Sequence, residues 1–203
     1  ILKELHYDSI YHEHLYYFSL TALIKIFKEH GLYAFDLLPS PISGGSWIVY
    51  FSNLKVNKTI ELLEALKNEQ NLNINSLDTW VKFSKDSINH ASSLNEVLDS
   101  FTGKIVGFGA SARSSTLLNF CKINKNKIDF IVDKNPLKSD HFTPGSDIII
   151  KTINYLARNI HNVSLIIILA WNFKDEIIKE LKEIGYKGYI LVPFPRKVKL
   201  YEI

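Results

Sequence analysis

The sequence predicts an α/β protein whose second half is a Rossmann-like parallel sheet, and three observations carry that prediction. From Gly103 onward, short apolar runs at residues 104–108, 128–132, 164–170 and 189–192 lack polar alternation, the pattern of strands buried on both faces. Helical stretches from about Ser111 and through residues 175–184 separate them, as crossovers between parallel strands require. The first run leads directly into Gly107-Phe108-Gly109-Ala110-Ser111-Ala112, a G-x-G-x-x-A turn placed between a strand and a helix.

The elements before Gly103 follow in order. Ser19 is an N-cap candidate for a helix whose apolar positions Leu20, Leu23, Ile24 and Phe27 have helical spacing, with Gly31 as its C-terminal stop. Two strand-like runs, 33–38 and 47–51, flank a turn-rich connector at 39–46 and suit an antiparallel pair. Residues 55–101 read as two helical pieces broken near 71–75. The second has an apolar stripe of Leu77, Trp80, Val81, Ile88, Ala91, Leu94, Val97 and Leu98, expected to bury one face.

Composition narrows the function. The chain has 203 residues, 46% hydrophobic and 22% charged, which is globular and excludes a disordered class. A net charge of +3, with Lys and Arg dispersed among acids, gives no phosphate-backbone footprint, so no nucleic-acid partner is expected. The single cysteine, Cys121, excludes an intrachain disulfide and a cysteine zinc cluster and suits a reducing compartment. No apolar run reaches the roughly 18 residues of a membrane span. A cytoplasmic protein with no membrane partner is the expectation. The chain lacks methionine and opens on Ile1-Leu2-Lys3-Glu4-Leu5, so it reads as a piece of a longer protein.

Two groups of residues offer chemistry. At the glycine loop, Gly107 and Gly109 permit a tight turn, and the amides at Ser111 attract an anion such as phosphate. Asp133 follows the next strand at a distance suited to a ribose hydroxyl. Asn135 and Lys138 lie in the polar loop after it, and Trp171 and Asn172 follow the apolar strand 164–170. An exposed Trp171 would stack on a base or sugar, whereas a core tryptophan with a capping asparagine is the plain alternative. Glycine packing and ordinary turn chemistry are the plain alternatives for the rest. The second group is Tyr11-His12-Glu13-His14. His12 and His14 would share one face of a strand and hold a metal only with further ligands, for which no spacing is present. An imidazole of unperturbed pKa about 6.5, oriented by Glu13 or Tyr11, makes an acid/base centre. A hydrogen-bonded structural histidine remains a third reading.

The stretches YHEHLYYFSLTALIKIFKEHGL, SGGSWIVYF, GFGASARSSTLLNFC, VDKNPLKSDHFTPG and ILAWNFKDEII occur in the order found in the C-terminal part of the sugar C-methyltransferase family, which the chain resembles over almost its whole length. The resemblance implies S-adenosylmethionine-dependent methylation of a carbon of a nucleotide-linked keto-deoxysugar. It also implies a longer protein with an N-terminal zinc-binding domain and a donor-binding domain. The fold class then reads as a Rossmann-like parallel sheet domain preceded by a helical connector and the terminal helix and strand pair of a class I methyltransferase domain. Residues 1–53 would be that remnant, 54–102 the connector and 103–203 the nucleotide-sugar-binding domain. Carried over, the Tyr-x-Glu-His motif makes His14 the base that removes the proton alpha to the ketone, with Tyr11 and Glu13 lining its pocket and no catalytic metal. Gly107, Gly109, Ser111, Arg113, Asp133, Asn135, Lys138, Trp171 and Asn172 would contact the sugar nucleotide. Neither the methyl donor nor zinc would bind within this chain, which alone would be inactive. The rival readings are a nucleotide or nucleotide-sugar binding module without chemistry and an NAD-dependent oxidoreductase built on Gly107, Gly109 and Asp133. The latter lacks a hydride-transfer pair such as Tyr-x-x-x-Lys.

Overall fold

The computed structural model describes residues 1–203, apart from the side chain of Ser43. The chain forms two compact units, Leu15–Lys82 and a second that joins Ile1–His14 to Phe83–Ile203. The first fourteen residues pack with the C-terminal sheet through Leu5 and Tyr7, and Leu62 of the following helical stretch packs with Leu20, Ala34 and Leu37.

In the unit Leu15–Lys82, helix α1 (Leu20–Glu29) begins where the Ser19 hydroxyl accepts the Ala22 amide at 3.0 Å. The Glu69 carboxylate adds to this cap by accepting the amides of Leu20 at 2.5 Å and Thr21 at 2.8 Å, which satisfies donors left open by helix geometry. After Gly31, with φ of +75°, the chain runs into β1 (Tyr33–Ser40), antiparallel to β2 (Ser46–Ser52) as the turn-rich connector predicts. Helix α2 (Ile60–Asn71), capped by Thr59, closes a small core of Leu20, Ala34, Leu37 and Leu62. Two strands make a narrow sheet, so Leu38, Ile42, Trp47, Ile48 and Tyr50 stay between 39% and 68% exposed.

Helix α3 (Leu77–Asp99) passes from one unit to the other. Its buried residues are Phe83, Ser87, His90, Leu94 and Leu98, whereas Leu77, Trp80, Val81 and Ile88 of the expected stripe are exposed. The apolar stripe and the buried face therefore coincide only over the last two turns. Two polar residues take the middle of the face because their hydrogen bonds are made inside the protein: Ser87 Oγ donates to the Phe83 carbonyl, and His90 bonds Tyr7 and Pro193.

The second unit is built on six strands: β3 (Lys104–Phe108), β4 (Phe130–Val132), β5 (Ile150–Lys151), β6 (Val163–Ile168), β7 (Tyr189–Val192) and β8 (Lys199–Glu202). Helices α4 (Ala112–Phe120), α5 (Ile153–Asn159) and α6 (Lys174–Glu183) connect them. The spatial order is β5-β4-β3-β6-β7-β8, with β8 alone antiparallel, so the sheet is mixed rather than wholly parallel. Numbered within this unit the order is 3-2-1-4-5-6, the doubly wound dinucleotide-fold arrangement. The chain reverses direction of winding between β3 and β6, and the crevice at their carboxyl ends is where such sheets bind ligands. Strands β3, β4, β6 and β7 fill the core with Val106, Phe108, Ile131, Val132, Leu165 to Ile168, Ile190 and Leu191, all buried.

Candidate functional site at the carboxyl edge of the sheet

The glycine loop forms as the sequence predicts. Gly109 has φ of +101°, and a Cβ there would lie 2.5 Å from that of Ala170, so only glycine fits. Gly107 meets the side chains of Ile131 and Leu169 in the same way. Ser111 caps α4 through a reciprocal pair with Ser114, each backbone amide meeting the other's hydroxyl at 3.2 Å.

The polar residues around this loop are engaged with one another. Asp133 accepts the Ala110 amide at 2.8 Å, the Asn135 amide at 2.9 Å and the Lys138 ammonium at 3.1 Å. Lys138 also donates to the Ala110 carbonyl at 2.7 Å, so the carboxylate expected to hold a ribose is tied to the loop in this structure. Asn135 caps the short turn Pro136–Lys138 by accepting the Leu137 amide. Ser111, Asn135 and Asn172 are exposed, and Lys138 is partly so.

Asp8, which no sequence pattern marks, occupies the crevice itself. Arg113 grips its two carboxylate oxygens at 3.0 and 3.1 Å, and the Trp171 indole N–H donates to it at 2.8 Å. The guanidinium carbon lies 4.6 Å from the centre of the Trp171 ring. Trp171 is only 8% exposed, so the expectation of an open stacking platform is corrected: its polar edge is turned to Asp8. Arg113 comes from the start of α4 and Trp171 from the residues following β6, on the two sides of the switch point. The chain's own Asp8 thus occupies the space between Arg113 and Trp171 beside the glycine loop.

A buried hydrogen-bond chain anchors the same segment. The Pro193 carbonyl can only accept, so His90 Nε2–H donates to it at 2.7 Å and Nδ1 carries the lone pair. The Tyr7 hydroxyl therefore donates to Nδ1 at 2.8 Å, and Cys121 Sγ, 3.3 Å from Tyr7, is the donor to the phenol oxygen. Burial pushes the Cys121 thiol up to about 11 and keeps the Tyr7 phenol protonated. Arg196 adds a backbone bond to the Glu4 carbonyl at 2.9 Å.

His6 is 6% exposed, lies 4.5 Å from the Trp171 ring, and has a buried Nε2 without a partner among the described residues. Burial lowers its pKa to about 4, against the upward pull of Asp8. An unfolded histidine takes its proton near pH 6.5. The stability gained by keeping His6 neutral is therefore complete above that pH and lost as pH falls toward 4, about 2 kcal/mol by pH 5. Burial lowers the pKa of His90 too, in the same sense. Urea unfolding should show a steeper loss of stability between pH 6.5 and 5 in the wild type than in His6→Phe; equal slopes would refute the assignment.

Beyond Asp8, a single turn of 3-10 helix (Tyr7–Ser9) leads into the turn that holds Tyr11, His12, Glu13 and His14. This is a turn closed by the His14 amide on the Tyr11 carbonyl at 3.0 Å, not a strand, so His12 and His14 do not share a strand face. No cluster of three or more His, Cys, Asp or Glu residues suited to a metal occurs among the described residues. His14 is exposed, its ring centre 4.3 Å from that of Tyr11. Its Nδ1 lies 3.0 Å from the Ser9 carbonyl oxygen. A carbonyl has no proton to give, so Nδ1 is the donating N–H, the tautomer that leaves Nε2 as the basic atom.

The sheet is that of a doubly wound domain, and the turn that follows Ser9 carries an exposed imidazole whose Nδ1 meets the Ser9 carbonyl. The chain belongs to the family of C-methyltransferase C-terminal domains, whose model matches residues 41–195. It is also 31% identical over 206 residues to the C-methyltransferase NovU of Streptomyces niveus, an alignment covering 98% of this chain and 49% of that protein. The chain therefore spans about half the length of the curated relative it matches. Such coverage leaves out a few residues at most, so the Tyr11–His14 turn lies within the aligned region. Among the described residues, no helix is long and apolar enough to cross a membrane.

Proposed function

We propose that this chain is the acceptor-side half of a C-methyltransferase that methylates a carbon alpha to the ketone of a nucleotide-linked keto-deoxysugar. The observation that carries the reading is the bond from His14 Nδ1–H to the Ser9 carbonyl, which leaves Nε2 of an exposed imidazole as the basic atom. Nε2 takes the alpha proton, and the electron pair of that C–H bond moves into the ketone to form an enolate. Tyr11, packed against the His14 ring, donates its phenolic hydrogen bond to the developing oxyanion, and Glu13 holds sugar hydroxyls. The exposed groups of Ser111, Asn135, Lys138 and Asn172 meet the nucleotide portion. Gly107, Gly109, Asp133, Arg113 and Trp171 shape the edge on which they stand. S-adenosylmethionine, held outside these residues, would supply the methyl group, and zinc belongs to a separate N-terminal domain. The exposed apolar face of β1 and β2 suits a strand pair that completes a donor-domain sheet.

Calorimetric titration of the chain tests this division. A thymidine-diphosphate keto-sugar should bind, S-adenosylhomocysteine should not, and no methylated product should form. Binding of S-adenosylhomocysteine alone would overturn the reading and move the donor site into these residues.

A further inference from the structure

The switch-point crevice holds an anion, and that anion is a side chain of the protein. Asp8 is almost fully buried, with its side chain 1% exposed. The arginine fork fixes both the position and the rotation of the carboxylate, and the indole N–H supplies a third donor. The residue after Asp8 is Ser9, whose carbonyl accepts the His14 Nδ1–H. A short path therefore runs from the rigid ends of β3 and β6, through Arg113 and Trp171, to Asp8, to the Ser9 carbonyl and so to the imidazole.

We propose that Asp8 is a positioning residue for His14: by seating its carboxylate between Arg113 and Trp171 it holds the Ser9 carbonyl where that oxygen sets the orientation and tautomer of the imidazole. The inference rests on His14 as the base. Asp8 touches no substrate. At this crevice the Rossmann-like unit works as a scaffold for the proton-transfer segment, its arginine and tryptophan engaged within the chain. Misplacing a reacting group by about 1 Å costs on the order of 100-fold in rate, so a loosened Asp8 seat should register in turnover rather than in sugar affinity.

The test uses the full-length protein carrying Asp8→Asn or Arg113→Lys, with kcat expressed per folded molecule counted by calorimetric stoichiometry for the sugar nucleotide. Each variant should lose about 10- to 100-fold in kcat with KM for the sugar nucleotide changed less than about threefold. The double variant should lose no more than the worse single one, because both break one link. Nitrogen resonances of the labelled His14 ring should report a single Nδ1-protonated tautomer in the wild type and a mixture in the variants. A merely structural role would leave kcat per folded molecule and the tautomer unchanged, and that result would overturn the proposal. Should Asp8→Asn fail to fold, Arg113→Lys, which keeps the charge, carries the same readouts. If His14→Ala retains turnover, the base assignment fails; if His14→Ala is inactive while both seat variants match the wild type, only the positioning role fails.

Discussion

Replacing His14 by alanine in the full-length protein should lower kcat by about 10²- to 10⁴-fold, the range of a single positioned proton-transfer group. The KM for the sugar nucleotide should move only a few-fold, because in the proposed reaction the imidazole would meet the substrate at the reacting carbon rather than along the nucleotide. His12→Ala is the matched control. His12 is exposed in the same turn, with its ring centre 6.2 Å from that of Tyr11, whereas His14 lies at 4.3 Å and has its tautomer set by the Ser9 carbonyl. Near wild-type turnover in His12→Ala together with a collapse in His14→Ala would assign the base to one of two adjacent candidates of the same chemistry. A collapse in both would point to the turn as a whole.

Arg113→Ala should destabilise the unit that holds it by about 3–5 kcal/mol, the cost of breaking a buried ion pair while one charge remains in place. Asp8 would keep the Trp171 N–H and lose both guanidinium bonds, in surroundings that leave its side chain 1% exposed. The arginine is itself 14% exposed, so Asp8→Asn, which removes the better-buried charge, should cost less than Arg113→Ala. Urea unfolding followed by tryptophan fluorescence can isolate this unit. Trp171 is its only tryptophan, since Trp47 and Trp80 fall in Leu15–Lys82 and can be changed to phenylalanine. An Arg113→Ala midpoint within error of the parent would show that the pair contributes nothing.

The doubly wound sheet was legible wherever a strand is apolar along its whole length. Strands β3, β4, β6 and β7 announce themselves because both faces are covered, and Gly109 marks the turn because no other residue tolerates its φ beside Ala170. Two strands were not legible. Ile150–Lys151 is too short to show a period, and Lys199–Glu202 is an antiparallel edge strand with all four residues exposed. The candidate site drew on signals of different kinds. Tyr11, Glu13, His14 and Arg113 stand out by resemblance. Asp8, Tyr7 and His90 do not, because their partners lie far along the chain: Asp8 meets Arg113 across 105 positions and Trp171 across 163. A lone acid in a short polar segment gives no periodic signal, and a buried histidine satisfied by a distant carbonyl reads as a break in an apolar stripe. The same cause misplaced the buried face of α3, where apolar count favours Trp80 and Ile88 over Ser87 and His90.

The central claim is that His14 removes the proton alpha to the ketone. The most direct measurement is deuterium incorporation into the keto-sugar nucleotide by the full-length protein in heavy water, with S-adenosylhomocysteine present in place of the methyl donor. Mass spectrometry should find one deuterium at the carbon alpha to the ketone with the wild type and uptake at the uncatalysed rate with His14→Ala. Equal incorporation by the two proteins would contradict it.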